Sequence, residues 1–185
     1  MINIDNIGNL KKCRVWLNKL PSSNDEIVKT LSSTIDSCDN NARNNQNIAL
    51  ELFVAPRYYG FLGIEYIYKE SKKLEINVHI TGDSIRSVND SLALPSDNVY
   101  CGISSEYAPT ILDTATKVLK DLNIIPSGTL NFNIGNYSDY GSNQVIFSKI
   151  TSILIRLLGI EKCTLDEEEC KNIVRNELNK SLTNI

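Results

Sequence analysis

The sequence predicts an α+β fold: one domain built on a mainly antiparallel sheet of four to five strands, with helices on one face and further helices at the N-terminus. Three observations carry that expectation. Apolar residues alternate with polar ones between residues 48 and 80, the spacing becomes helical after residue 108, and one short pattern recurs where strand gives way to helix. The pattern, Gly-x-x-Ser-acid-Tyr-small, reads Gly102-Ile103-Ser104-Ser105-Glu106-Tyr107-Ala108 and again Gly135-Asn136-Tyr137-Ser138-Asp139-Tyr140-Gly141.

From the N-terminus, Ile4, Ile7, Leu10, Leu17 and Leu20 suit a helix, with a strand over 13–17 as the alternative. Pro21 ends this element. Ser23-Asn24-Asp25-Glu26 then reads as a capping box, and Ile27, Leu31, Ile35 and Cys38 follow at spacings of one helical face, which predicts a helix over 25–39. The Asn-rich stretch 40–47 reads as a linker, because Asn side chains compete for backbone hydrogen bonds and favour turns.

Three period-two runs come next: Leu50, Leu52, Val54; then Leu62, Ile64, Tyr66, Tyr68; then Leu74, Ile76, Val78, Ile80. Their short connections suggest an antiparallel meander. Residues 82–98 are polar and contain Pro95, as in a loop. Residues 99–103 lead into the first copy of the pattern. Pro109 suits the first turn of the helix that follows, whose stripe is Ile111, Leu112, Ala115, Val118, Leu119 and Leu122. Leu130, Phe132 and Ile134 form another strand. The helix after the second copy carries Val145, Ile146, Ile150, Ile153, Leu154, Leu157 and Leu158, the most apolar stretch of the chain, and is expected at the centre of the core. A last helix opens on the capping box Thr164-Leu165-Asp166-Glu167 and runs to about residue 182. The expected organisation is thus a single domain, with 1–47 a helical N-terminal segment, 48–160 the sheet-and-helix core and 161–185 a C-terminal helix.

The whole-chain properties narrow the function classes. A chain of 185 residues supports one sizeable core. A net charge of −3 and a pI near 5.3 lack the basic footprint of a nucleic-acid binder, so direct binding of nucleic acid is not expected and a basic partner is easier to accommodate. No run approaches the roughly 20 apolar residues of a membrane span, and the first residues lack the basic-then-apolar order of a signal peptide. The expectation is a cytoplasmic protein without a membrane partner. Five cysteines, irregularly spaced, suit reduced thiols better than a disulfide framework.

Candidate chemistry is sparse. His79, the single histidine, has no Gly-x-Ser-x-Gly context and reads as an exposed or edge-strand residue. Cys163 and Cys170 lack the close pairing that zinc requires, and the glycines at 102 and 135 lack the Lys or second Gly of a phosphate loop. No catalytic residue, metal ligand or cofactor is assigned. The repeated Ser-acid-Tyr has an ordinary structural reading as helix starts and strand-to-helix corners. Its functional reading places Glu106, Tyr107, Asp139 and Tyr140 on loops at one end of the sheet, as part of a contact surface suited to tyrosine's apolar body and polar tip. The acids Asp166, Glu167, Glu168 and Glu169 form the first turn of the last helix and a second candidate recognition patch.

A compact acidic α+β domain of this kind resembles, in general type, the immunity proteins that bacteria make against toxins of competing cells. The resemblance implies a cognate protein toxin, often a basic nuclease, held by acidic and aromatic contacts. The order of elements over 48–158 also resembles domain IV of elongation factor G and its ribosomal-protein relatives, which implies the alternative of an RNA- or ribosome-associated module.

Overall fold

The computed structural model describes residues 1–4, 10–18, 20–21, 26–38, 44–82, 90–123, 125–159 and 167–180. Among them lie eight strands and three helices. The strands are β1 (Ile2–Ile4), β2 (Lys11–Leu17), β3 (Ile27–Asp36), β4 (Gln46–Val54), β5 (Tyr58–Tyr68), β6 (Lys73–Thr81), β7 (Val99–Cys101) and β8 (Gly128–Ser138). The helices are α1 (Ala108–Leu122), α2 (Gln144–Leu158) and α3 (Glu167–Asn179). The α+β class stands. The sheet is larger than the four to five strands expected, and it is mixed: order β1-β2-β4-β5-β8-β6-β3, with β7 on β8 and the β6–β8 pair parallel.

The expected N-terminal helices are corrected to strands. Residues 11–17 pair with β4, the alternative that the sequence left open, and Ile27–Asp36 pair with β6 along their whole length. The reason lies in the spacing. Ile27, Leu31 and Ile35 recur every four residues, which fits a helical face but equally fits one side of a strand. The β-branched residues Val28, Thr30, Thr34 and Ile35 favour the extended form. The capping residues 23–25 fall outside the described residues, as do Thr164, Leu165 and Asp166 of the later capping box.

The expected meander is corrected too. β4 and β5 form an antiparallel hairpin, but β8 lies between β5 and β6. A parallel pair needs a long crossover, and α1 supplies it, lying against β6 and β3. β6 and β7 share one edge of β8: β6 runs beside Gly128–Phe132, and β7 beside Asn136–Ser138.

One face of the sheet meets the helices. Leu50, Leu52, Leu62, Ile64, Leu74, Ile76, Val78, Leu130 and Phe132 are fully buried with Ile111, Ala115, Phe147, Ile150, Ile153 and Leu154 of the helices. As expected, α2 is the core helix, buried on nearly every side between Ile146 and Leu158. Gly60 lets it approach, since a Cβ there would come within 2.8 Å of Ile150 Cδ1. The helix is capped by Asn143, which accepts from the Ile146 amide, and stops at Gly159.

Candidate surface at the tyrosine-bearing end of the sheet

The two copies of the recurring pattern meet in space, but they are not the same structure. The Gly102 amide donates to the Gly135 carbonyl at 2.6 Å, at the point where β7 joins β8. Both glycines are required there. Gly102 has φ +97°, and a Cβ on Gly135 would lie 2.7 Å from Ile103 Cγ1 and 2.9 Å from the Gly102 carbonyl. After that contact the copies diverge. In the first, the chain turns at once, with Ser104 accepting from the amides of Glu106 and Tyr107 before α1 begins. In the second, β8 continues to Ser138, and the turn over 139–141 precedes α2.

That second turn is firmly held. Ser138 Oγ accepts from the Gly141 amide at 2.9 Å, and Ser142 Oγ accepts from the Ser138 amide and donates to the Tyr59 carbonyl, both at 2.8 Å. The Tyr59 amide donates to the Gly141 carbonyl at 2.9 Å, so the turn is pinned to the start of β5. Gly141 is the residue that permits this, because a Cβ would sit 2.3 Å from the Arg57 carbonyl.

The consequence is an outward-facing cluster. Tyr140 is 66% exposed and lies under the Arg57 guanidinium, whose carbon is 5.2 Å from the ring centre. Tyr58, the first residue of β5, is 38% exposed, and Val145, in the first turn of α2, 45%. Asp139 is exposed and receives a hydrogen bond from Asn98 Nδ2 at 2.9 Å; Arg57 also faces Asp97 at 3.7 Å. Glu106 is exposed, and its neighbour Tyr107 donates to the Ser142 carbonyl at 3.4 Å, which brings that part of the chain to the same end.

The sequence-predicted residues therefore separate into three groups. Asp139 and Tyr140 share one turn and face solvent, and Glu106 is exposed near the same end, beside Tyr107. Tyr107 comes with them but points inward: it is 5% exposed, stacked on Phe147 at 4.5 Å and edge-on to Tyr137 at 5.9 Å. Burial, with the Glu106 carboxylate adding to it, pushes its hydroxyl up to about 12. Glu167, Glu168 and Glu169 lie elsewhere. Lys180, just past the end of α3, meets Lys149 of α2, so the acidic first turn is roughly 20 Å further along the helix. Glu167 is paired with Lys171 at 2.6 Å and Glu168 with Arg175 at 3.1 Å, which neutralises much of that turn. Asp166 falls outside the described residues.

A buried polar cluster on the other sheet face has no counterpart in the sequence reading. Glu51, 3% exposed, accepts from Tyr59 Oη at 3.1 Å and from the Leu92 amide at 2.8 Å, with Arg14 at 3.4 Å. Arg14 also holds Asp90 at 3.1 Å, so residues 90–92 strap this face. Burial raises the Glu51 carboxyl above its ordinary value despite the bonds from Leu92, Arg14 and Tyr59 that oppose the shift. The signal was an acid in the middle of the apolar run Ile48 to Val54. His79, on β6, shares a hydrogen bond at 2.9 Å with Thr30 of the edge strand β3.

Compared with known proteins, the chain matches no family model, no curated protein and no solved structure. No helix among the described residues is long and apolar enough to cross a membrane.

Proposed function

We propose that this domain works by covering a protein partner, and that the end bearing Tyr140, Tyr58, Val145, Asp139 and Glu106 is the covering surface. The observation that carries the reading is Tyr140, a large aromatic ring held out at 66% exposure on a turn fixed by hydrogen bonds on both sides. A ring presented rigidly gives up little conformational freedom on binding, which is why tyrosine and arginine dominate binding hot spots. Tyr58 and Val145 widen the apolar area. Asp139 and Glu106 at its margin favour a basic partner and speed encounter with it.

The biological reading consistent with this surface is an immunity protein that neutralises a cognate toxin, a basic nuclease being the class whose charge fits best. The test is co-purification with the protein encoded beside it, followed by titration at two salt concentrations. One stoichiometric partner, bound tightly and more weakly in high salt, is the expected result. Recovery of RNA or ribosomal components instead would move the elongation-factor resemblance to first place.

A further inference from the structure

Among the described residues, the seam between α2 and α3 gathers more positive charge than its neighbours balance. Lys149 projects from α2 and is 1% exposed. Among the described residues its ammonium has one hydrogen bond, to the Lys180 carbonyl at 3.3 Å, and no carboxylate within ion-pair distance. Around it stand three more cations. Lys11 of β2 donates to the Leu178 carbonyl at 2.6 Å, Arg156 Nε lies 3.0 Å from Glu177 Oε1, and Lys180 contacts the same oxygen. Glu177 is thus shared by two cations before Lys149 is counted.

Part of this arrangement is helix capping. The last carbonyls of α3 carry the negative end of the helix dipole, which accounts for Lys11 and for the direction of Lys149. Among the described residues, capping leaves Lys149 with two of its three donors unmatched in a buried place, and a buried cation is costly unless paired. Burial lowers the Lys149 ammonium below its ordinary value; Lys180, Lys11 and Arg156 push the same way, and only Glu177 opposes. The cluster opens outward through Arg156 and Lys180, whose side chains are 30% and 47% exposed.

We propose that this seam binds a phosphate group, with Lys149 as the inner contact and Lys11, Arg156 and Lys180 around it. Among the described residues four cations face the one carboxylate of Glu177, and a dianion with several acceptor oxygens matches the three charges left over, with the unused donors of Lys149 and the Arg156 Nε, better than a single carboxylate does. The site is independent of the partner-binding surface and stands or falls separately.

The test is calorimetric titration and thermal melting of the full chain with inorganic phosphate, with a nucleoside monophosphate, and with sodium chloride at matched ionic strength. One saturable site is expected for phosphate, with a rise in Tm that chloride does not reproduce. Tighter binding of the nucleoside monophosphate would assign the site to a phosphate ester, and preference for inorganic phosphate to the free anion. Lys149→Met and Arg156→Gln should each weaken binding by about tenfold or more, the loss of one charge-assisted contact. Arg156 lies at the rim, so its variant keeps the test open if the Lys149 variant does not fold. Equal effects of phosphate and chloride, or unchanged affinity in both variants, would overturn the proposal.

Discussion

Replacing Tyr107 separates the buried member of the recurring pattern from its exposed partners. The ring is 5% exposed, lies face to face with Phe147 at 4.5 Å and edge-on to Tyr137. Tyr107→Ala removes an aromatic side chain from a packed core, and such truncations cost about 3–5 kcal/mol, a large part of the roughly 5–15 kcal/mol that holds a domain folded. Tyr107→Phe keeps the ring and loses the hydroxyl, with its 3.4 Å hydrogen bond to the Ser142 carbonyl and its contact with the Glu106 carboxylate, together worth about 1 kcal/mol. Urea denaturation of the three proteins measures both, with an unchanged slope showing that the unfolded state is comparable. A cost below about 1 kcal/mol for alanine, or equal costs for the two variants, would refute the core assignment. The alkaline limb gives a second reading. An unfolded tyrosine ionises near pH 10 and Tyr107 in the fold at about 12, so its contribution is present below pH 10 and is lost as pH rises through 12. The wild type should lose stability over that window by more than Tyr107→Phe does.

Two further outcomes follow from the same contacts. Gly102→Ala places a Cβ 1.6 Å from Thr81 Oγ1 on a backbone at φ +97°; the strain and overlap should cost about 2–5 kcal/mol and lower Tm by at least about 5 °C, and a Tm within a degree or so of wild type would contradict the packing of the turn after β7 against Thr81 at the end of β6. Glu51 has a folded pKa above its reference value of 4.5, so the folded state keeps a proton that the unfolded state releases. Stability from this group is therefore fullest below pH 4.5 and falls as pH rises through the folded value. Glu51→Gln removes that dependence, and urea midpoints measured from pH 4 to 8 should show its advantage over wild type growing with pH; parallel profiles would show that Glu51 is not buried as described.

Local pattern was legible in the sequence wherever one spacing fitted one structure. The stripe from Ile111 to Leu122 and the run from Ile146 to Leu158 are helical in both readings, and the three alternating runs became β4, β5 and β6. The error at Ile27–Asp36 came from a four-residue spacing that strand and helix share, with the β-branched residues outweighed by the capping-box pattern of the sequence at 23–26. The position of β8 was out of reach for another reason. Its place between β5 and β6 depends on pairing across many residues and on the crossover through α1, neither of which leaves a local trace. At the surface, the sequence reading put Glu106, Asp139 and Tyr140 at one end, and Asp139 and Tyr140 do share an exposed turn there. It could not say that Tyr107 turns inward, because the side of a turn residue is set by the hydrogen bonds of Ser104 and the ring of Phe147. Arg57 joined that surface only through the turn between β4 and β5, which the Tyr59 amide pins to the turn at 139–141.

The central claim is tested most directly by titrating the protein encoded beside this one against the wild type, Tyr140→Ala, and a control with Glu167 and Glu168 both changed to glutamine. Tyr140 is exposed on a turn held by other side chains, so its variant should keep the wild-type Tm. Its affinity should fall by about a hundredfold or more, the scale of a hot-spot residue, and the control should bind as the wild type does. Undiminished binding by Tyr140→Ala, or loss of binding in the Glu167 and Glu168 control alone, would place the partner on another surface.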